Sequence, residues 1–251
     1  MTQQTNGANC IWLKDKRPEH PTLIEGLPGH GLVASIAVDL ITRQLGLVHH
    51  ASIQSDEFPP VVTFTEGLVQ DLVRVYAGQD PPVMTLQSDL ALPPSALQPV
   101  SQCILSDVSS EYQRAIFIAG APAESEAQIG KVKGVATTEA LRDELEQADI
   151  PIAEEAGVVG GITGALVKEC YQLDIPATLL IVRAHPYLPD PSAAKSVIET
   201  ALEPLVEFDI DTTELEEHAE EIRTQMNQIA QQYKQVTEEQ QPESQPTGMF
   251  Q

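Results

Sequence analysis

Thr22-Leu23-Ile24-Glu25-Gly26-Leu27-Pro28-Gly29-His30-Gly31 is a short apolar run that breaks into three closely spaced glycines. Behind it Leu32, Val33, Ile36, Ala37, Leu40 and Ile41 recur at helical spacing, and Gly46 supplies a stop. The stretch reads as strand, tight loop and helix. Glycines directly after a strand let the chain turn sharply or let another backbone approach, which marks the carboxyl edge of an α/β sheet. The loop is spaced G-x-x-G-x-G and lacks the Lys-Ser/Thr pair of a phosphate loop, so no standard nucleotide fingerprint is met. No cofactor is expected.

Outward from this unit the pattern changes and then returns. His49 to Ile53, Val61 to Phe64, Leu72 to Tyr76 and Val83 to Gln87 are β-rich runs separated by Pro-, Gly- and Asp-containing breaks. They predict a meander inserted in the α/β pattern. A helix follows from Pro93-Pro94 to about Ser109, and Ala115 to Gly120 is a buried-type strand. Thr138 to Ala148, and Gly160-Gly161-Ile162-Thr163-Gly164 through about Leu173, predict two more helices, with a strand at Ala177 to Arg183 and a helix from Pro191. Such alternation favours a mostly parallel sheet covered on both faces, a three-layer α/β/α fold.

The ends differ from this body. Residues 1–9 are polar and expected to fray, and 10–210 form the α/β domain. Residues 211–237 open with a capping-box-like Asp211-Thr212-Thr213-Glu214 and continue with Leu215, Ala219, Ile222, Met226, Ile229, Tyr233 and Val236 at heptad spacing. This C-terminal helical extension either packs on its own domain or forms a coiled coil with a partner; both readings stay open. Residues 238–251, rich in Gln, Glu, Pro and Ser, lack the apolar content to fold.

Thirty-seven acidic against fourteen basic residues give a formal charge of -23, spread along the chain. Self-repulsion of that size is relieved when salt shortens the Debye length to about 3 Å at 1 M, which fits a halophilic archaeal cytoplasm. It argues against nucleic acid and anionic membranes as partners, both of which need clustered Lys and Arg. No signal peptide and no membrane-spanning run is visible, so a soluble cytoplasmic protein is expected. Cys10, Cys103 and Cys170 fall outside any ligand or C-x-x-C spacing and read as free thiols, Cys170 as a core residue. No metal site is expected.

Candidate chemistry gathers at the glycine loop. His30 and His185 both fall where a carboxyl edge is expected, and with Glu25 or Asp56 they could form an acid/base group for a small-molecule binder, hydrolase or phosphorylase-like enzyme. No nucleophile elbow, metal spacing or Ser/His/Asp order accompanies them. Asp190-Pro191 has a structural explanation as N-cap and first helical residue. The Gly160–Gly164 run is expected to serve close packing, and Arg74 and Arg183 to pair with carboxylates.

Four stretches in consistent order resemble the archaeal members of the proteasome assembly chaperone 2 family. They are Ile24 through Val33, Gln54-Ser55-Asp56-Glu57-Phe58-Pro59-Pro60-Val61-Val62, Tyr171 through Pro176, and His185-Pro186-Tyr187-Leu188-Pro189-Asp190-Pro191. The resemblance implies an architecture related to nucleoside phosphorylases without their catalysis, homo-oligomers, and action on 20S proteasome α subunits. It also implies a terminal hydrophobic-tyrosine-any tail that docks between α-ring subunits. This chain ends Met249-Phe250-Gln251, with Phe250 at the tyrosine position. The expected function is therefore a non-enzymatic assembly chaperone or regulator, with Met249, Phe250 and Gln251 as partner-binding residues.

Overall fold

A computed structural model describes residues 7–14, 18–105, 112–222 and 224. Its frame is an eight-stranded sheet in the order β1-β3-β6-β7-β2-β8-β10-β9. The strands are β1 (Ala8–Trp12), β2 (Thr22–Gly26), β3 (Val48–Ser55), β6 (Val73–Gln79), β7 (Pro82–Ser88), β8 (Arg114–Pro122), β9 (Val132–Ala136) and β10 (Ala177–Ala184). The core β7-β2-β8-β10 is parallel throughout, and β10 and β8 stay in register over Ala177–Ala184. On one side β6, β3 and β1 add antiparallel strands, and on the other β9 closes the sheet antiparallel to β10. The expected meander is this first wing. Its remaining run forms a separate ribbon of β4 (Thr63–Thr65) and β5 (Leu68–Gln70).

Alternation along the core strands sends side chains to two helical layers. Ile24, Ile116, Ile118, Leu180 and Val182 meet α1 (Val33–Gln44) and α5 (Pro191–Val197), the latter continued by a π-helical turn, Ile198–Leu202, and by α6 (Glu203–Val206). Leu23, Ala115, Phe117 and Leu179 meet α2 (Pro94–Cys103) and α4 (Gly161–Gln172) on the opposite face. A further helix, α3 (Glu139–Gln147), packs at the β9 edge. The three-layer arrangement follows from two apolar sheet faces that each need cover.

Local differences from the sequence reading have simple causes. The first strand begins at Ala8, inside the polar segment, because Ala8 and Cys10 are buried in its pairing with β3. Val132 and Gly134 of β9 turn inward while Lys133 and Val135 face out, too short an alternation to stand out in the sequence. Cys10, Cys103 and Cys170 are buried and form no disulfide.

Residues 213–222 are helical, and Leu215 is buried in the layer of α1 and α5. Asp211 caps this helix by accepting hydrogen bonds from the Thr213 amide at 3.0 Å and its hydroxyl at 2.6 Å. Glu214 does not reach back in a capping box; it accepts hydrogen bonds from the Arg43 guanidinium of α1. Lys195 of α5 pairs with Glu216. The first seam residue thus faces its own domain, whereas Met226 through Val236 lie outside the described residues.

Candidate functional site

Every parallel core strand ends on one edge, and the glycine turn sits at its centre. Gly31 has φ +65°, a region glycine enters freely, and a Cβ there would meet the Ala184 Cβ at 2.8 Å. The next residue, Leu32, is also left-handed at φ 50°, which costs a side-chain-bearing residue about 1–2 kcal/mol. Gly120 at the end of β8 lets the turn descend onto the sheet, for a Cβ there would lie 2.0 Å from the His30 carbonyl oxygen. Sequence spacing located this junction; the contacts state why glycine is needed.

Glu25 lies below the turn. It alternates with Leu23 onto the face covered by α4, a position that elsewhere in the core strands is apolar, and it is fully buried. Its Oε1 accepts hydrogen bonds from the Leu27 amide and the Thr163 hydroxyl, both at 3.2 Å, and its Oε2 from the Ile118 amide at 3.4 Å. Burial pushes the carboxyl up to about 8 against the opposing pull of these hydrogen bonds, so at neutral pH it holds its proton. One side chain ties the turn, β8 and the start of α4 together.

Asp190 does the same on the neighbouring side. Its Oδ1 accepts from the Ala193 amide at 2.9 Å as N-cap of α5, and its Oδ2 from the His185 amide at 2.7 Å. Its own amide donates to the Gly31 carbonyl at 2.9 Å. The His185 ring accepts from the Tyr187 amide through Nδ1 at 3.2 Å. His30 Nε2 is shielded from solvent and has no hydrogen-bond partner among the described residues.

The proposed acid/base group is therefore assembled only in part. His30 and His185 share the neighbourhood of Gly31 and Asp190. Glu25 is turned under the sheet edge toward α4, and Asp56 stands at the end of β3, three strand spacings or about 14 Å from β2. Among the described residues no cluster of three or more His, Cys, Asp or Glu could hold a metal ion, and no helix is long and apolar enough to cross a membrane. Arg74 forms the expected carboxylate pair: both its terminal nitrogens bond Asp89, at 2.6 and 2.8 Å, and hold that carboxyl below the usual range. Arg183 instead donates to the Pro122 carbonyl at 2.9 Å. In the Gly160–Gly164 run, only Gly164 is crowded, by the Val159 carbonyl, while a Cβ at Gly160 or Gly161 would meet open space. Its packing is thus loop on helix, not helix on sheet.

A second feature of the same edge was not legible as a site. Residues of the Gln54–Val62 stretch, among them Asp56, Phe58, Val61 and Val62, and Val69 and Gln70 of β5 line a groove of about 720 Å³ at the end of β3. Val61, Val62, Phe64, Leu68 and Val69 are all more than half exposed. Pro59-Pro60 directly ahead of an apolar run was the available signal, since proline rejects a central strand and leaves such a run at an edge. Met249, Phe250 and Gln251 lie outside the described residues.

The sequence profile of the PAC2 family matches residues 23–230, beginning in the strand before the glycine turn. This chain belongs to the PAC2 family. Two uncharacterised proteins of Methanocaldococcus jannaschii are 28% identical to it, one over 86% of this chain and 87% of its own length, the other over 82% of each. Among solved structures, Pyrococcus furiosus PbaA, described as an archaeal homolog of proteasome-assembly chaperone, superposes with a TM-score of 0.82 at 23% identity over 93% of this chain and 96% of that one. PbaB of the same organism, described as an archaeal proteasome activator, superposes with a TM-score of 0.80 at 21% identity over 90% and 100%. At these identities the superpositions establish a shared PAC2 fold.

Proposed function

We propose that this PAC2 protein is a non-enzymatic, proteasome-associated assembly chaperone or regulator of the archaeal cytoplasm, acting as a homo-oligomer that docks on the 20S α-ring. The observation that carries the proposal is the family match over nearly the whole domain, joined to fold neighbours described as a proteasome-assembly chaperone homolog and a proteasome activator. The carboxyl edge supports it too. Glu25 and Asp190, the carboxylates best placed for chemistry, already accept backbone hydrogen bonds that hold three segments in place.

Docking is assigned to Met249-Phe250-Gln251. An aromatic ring followed by a terminal carboxylate suits a pocket with an apolar wall and a cationic floor. The segment after Gln240 spans roughly 40 Å when extended at ~3.5 Å per residue, enough to reach a neighbouring particle. Phe250 lacks the hydroxyl that a tyrosine would offer, which weakens each tail by about 0.5–1.5 kcal/mol, and several tails on one oligomer offset this through effective concentration. The high acidic charge fits molar salt as the working medium.

The test is capture of purified 20S particles in molar KCl by the intact chain and by a chain lacking residues 249–251. The intact chain should retain the particle and the shortened chain should lose it; equal retention rules out the tail. One observation favours a small-molecule reading of the glycine turn, the buried and unpartnered Nε2 of His30. A thermal-shift screen against nucleosides and phosphates, repeated with His30→Ala, decides it: a flat screen removes that reading.

A further inference from the structure

The β4–β5 ribbon holds apolar side chains where water reaches them. Phe64 and Val69 are a cross-strand pair, exposed by 72% and 75%, and Leu68 is exposed by 73%. Glu66 and Gly67, at φ 52° and 79°, form the two-residue turn that joins the strands, and this turn matches the natural twist of a hairpin. The register puts Phe64 and Val69 side by side on one face of the ribbon and Leu68 on the other, and a paired apolar face of this kind marks an interaction surface, whereas scattered single residues do not. Among the described residues β4 and β5 pair only with each other, so each has an outer edge able to accept a further strand. An isolated two-stranded hairpin is marginal in water, and a third strand would stabilise it.

Charge decides what kind of strand. Asp56 and Asp71 line the groove, Glu66 sits in the ribbon's turn, and no Lys or Arg occurs between Gln44 and Val73. The cations that bracket this stretch are engaged elsewhere, Arg43 with Asp39 and Glu214 and Arg74 with Asp89. A second copy placed patch to patch would press two such acidic groups into direct contact without a counter-charge, within the range of about 3 Å at which molar salt still leaves their repulsion unscreened. The tail of this chain is also a poor match, since beyond residue 224 it has Lys234 against Glu238, Glu239 and Glu243. Residues 1–6 offer one apolar side chain, Met1, against five exposed ones.

We propose that the β4–β5 ribbon and the adjoining groove bind an extended segment of another protein, one with apolar side chains flanked by lysine or arginine. The segment adds as a strand to the ribbon, its apolar residues cover the Phe64–Val69 face, and its cations meet the acidic groups. This contact lies beyond the tail assigned above and does not depend on it.

The probe is a fluorescein-labelled peptide of alternating valine and threonine with two lysines at each end, beside a copy with glutamates in place of the lysines. Anisotropy is followed on the full chain, on the Phe64→Ser/Val69→Ser variant and on the chain lacking residues 249–251. A chain of charge -23 attracts any cation, so the comparison with the charge-neutral serine variant is the decisive one. The lysine peptide should bind saturably, at least tenfold more weakly to the serine variant, and unchanged to the shortened chain; the glutamate peptide should bind at least tenfold more weakly. A Val69→Lys variant, read by the same assay with circular dichroism confirming its fold, should repeat the loss. Absence of saturable binding, equal binding by the serine variant, or equal affinity for the glutamate peptide overturns the proposal. So does light scattering in which the serine substitutions dissociate an oligomer while peptide binding persists, because the occupant is then a second copy.

Discussion

The glycine turn and the β4–β5 ribbon sit on the same edge of one sheet and use their residues in opposite ways. At the turn, groups that look like chemistry, Glu25 and Asp190, are buried and bonded to backbone amides. At the ribbon, groups that look like core, Phe64 and Val69, are left in solvent. A polar side chain inside a fold is tolerated when it satisfies other polar groups, and an apolar cluster outside it is retained when something else covers it. The first region therefore reports on folding, and the second on partners.

Substitutions should separate the two regions by size of effect. Gly120→Ala drives a Cβ against the His30 carbonyl and should cost ~3 kcal/mol or more, read as a lower urea midpoint at unchanged slope. A loss under about 1 kcal/mol would mean that the turn can lift away from β8.

The Glu25 carboxyl should come next and carries a pH signature. Its proton is held up to about pH 8 in the folded chain but leaves near 4.5 in the unfolded one. Between those values the folded state binds more protons, so stability falls as pH rises and levels off above 8. We expect a decline of ~3–4 kcal/mol from pH 5 to pH 8 that Glu25→Gln removes. A variant with the same slope as the parent chain would assign the pH dependence to other groups.

Asp190→Ala removes the α5 cap and the tie to His185 together, and should lower stability by ~2 kcal/mol in the same urea titration. His185→Ala should cost less than half of that, because its amide, not its ring, makes the tie. Phe64→Ser should sit at the bottom of the scale, within ~0.5 kcal/mol of the parent chain, since its side chain is already exposed. A loss of 2 kcal/mol there would contradict the contrast, as it would make the ribbon part of the core.

The legible part of the fold was the part with long periods. Leu32 through Ile41 gave α1, and Ala115–Gly120 and Ala177–Arg183 gave two core strands, because a strand buried on both faces reads as a continuous apolar run. The short edge elements were not legible in the same way: β1 begins among polar residues, and β9 and β4 are too brief for alternation to register. At the edge, glycine spacing located the turn and Asp190-Pro191 gave the cap, since both signals are local. That Glu25 would be buried under Thr163 and Ile118, residues 138 and 93 positions away, depends on pairings no local pattern encodes. The ribbon failed for the converse reason: apolar β-rich residues predict a strand equally well whether or not anything covers them.

Amide hydrogen exchange of the intact chain with and without purified 20S particles in molar KCl tests the central claim most directly. The account predicts new protection in the last residues before Gln251, and none at Leu27, His185, Tyr187 or Asp190, whose amides are already held by internal hydrogen bonds. Protection confined to the glycine turn, with the terminal residues exchanging as freely as before, would contradict it.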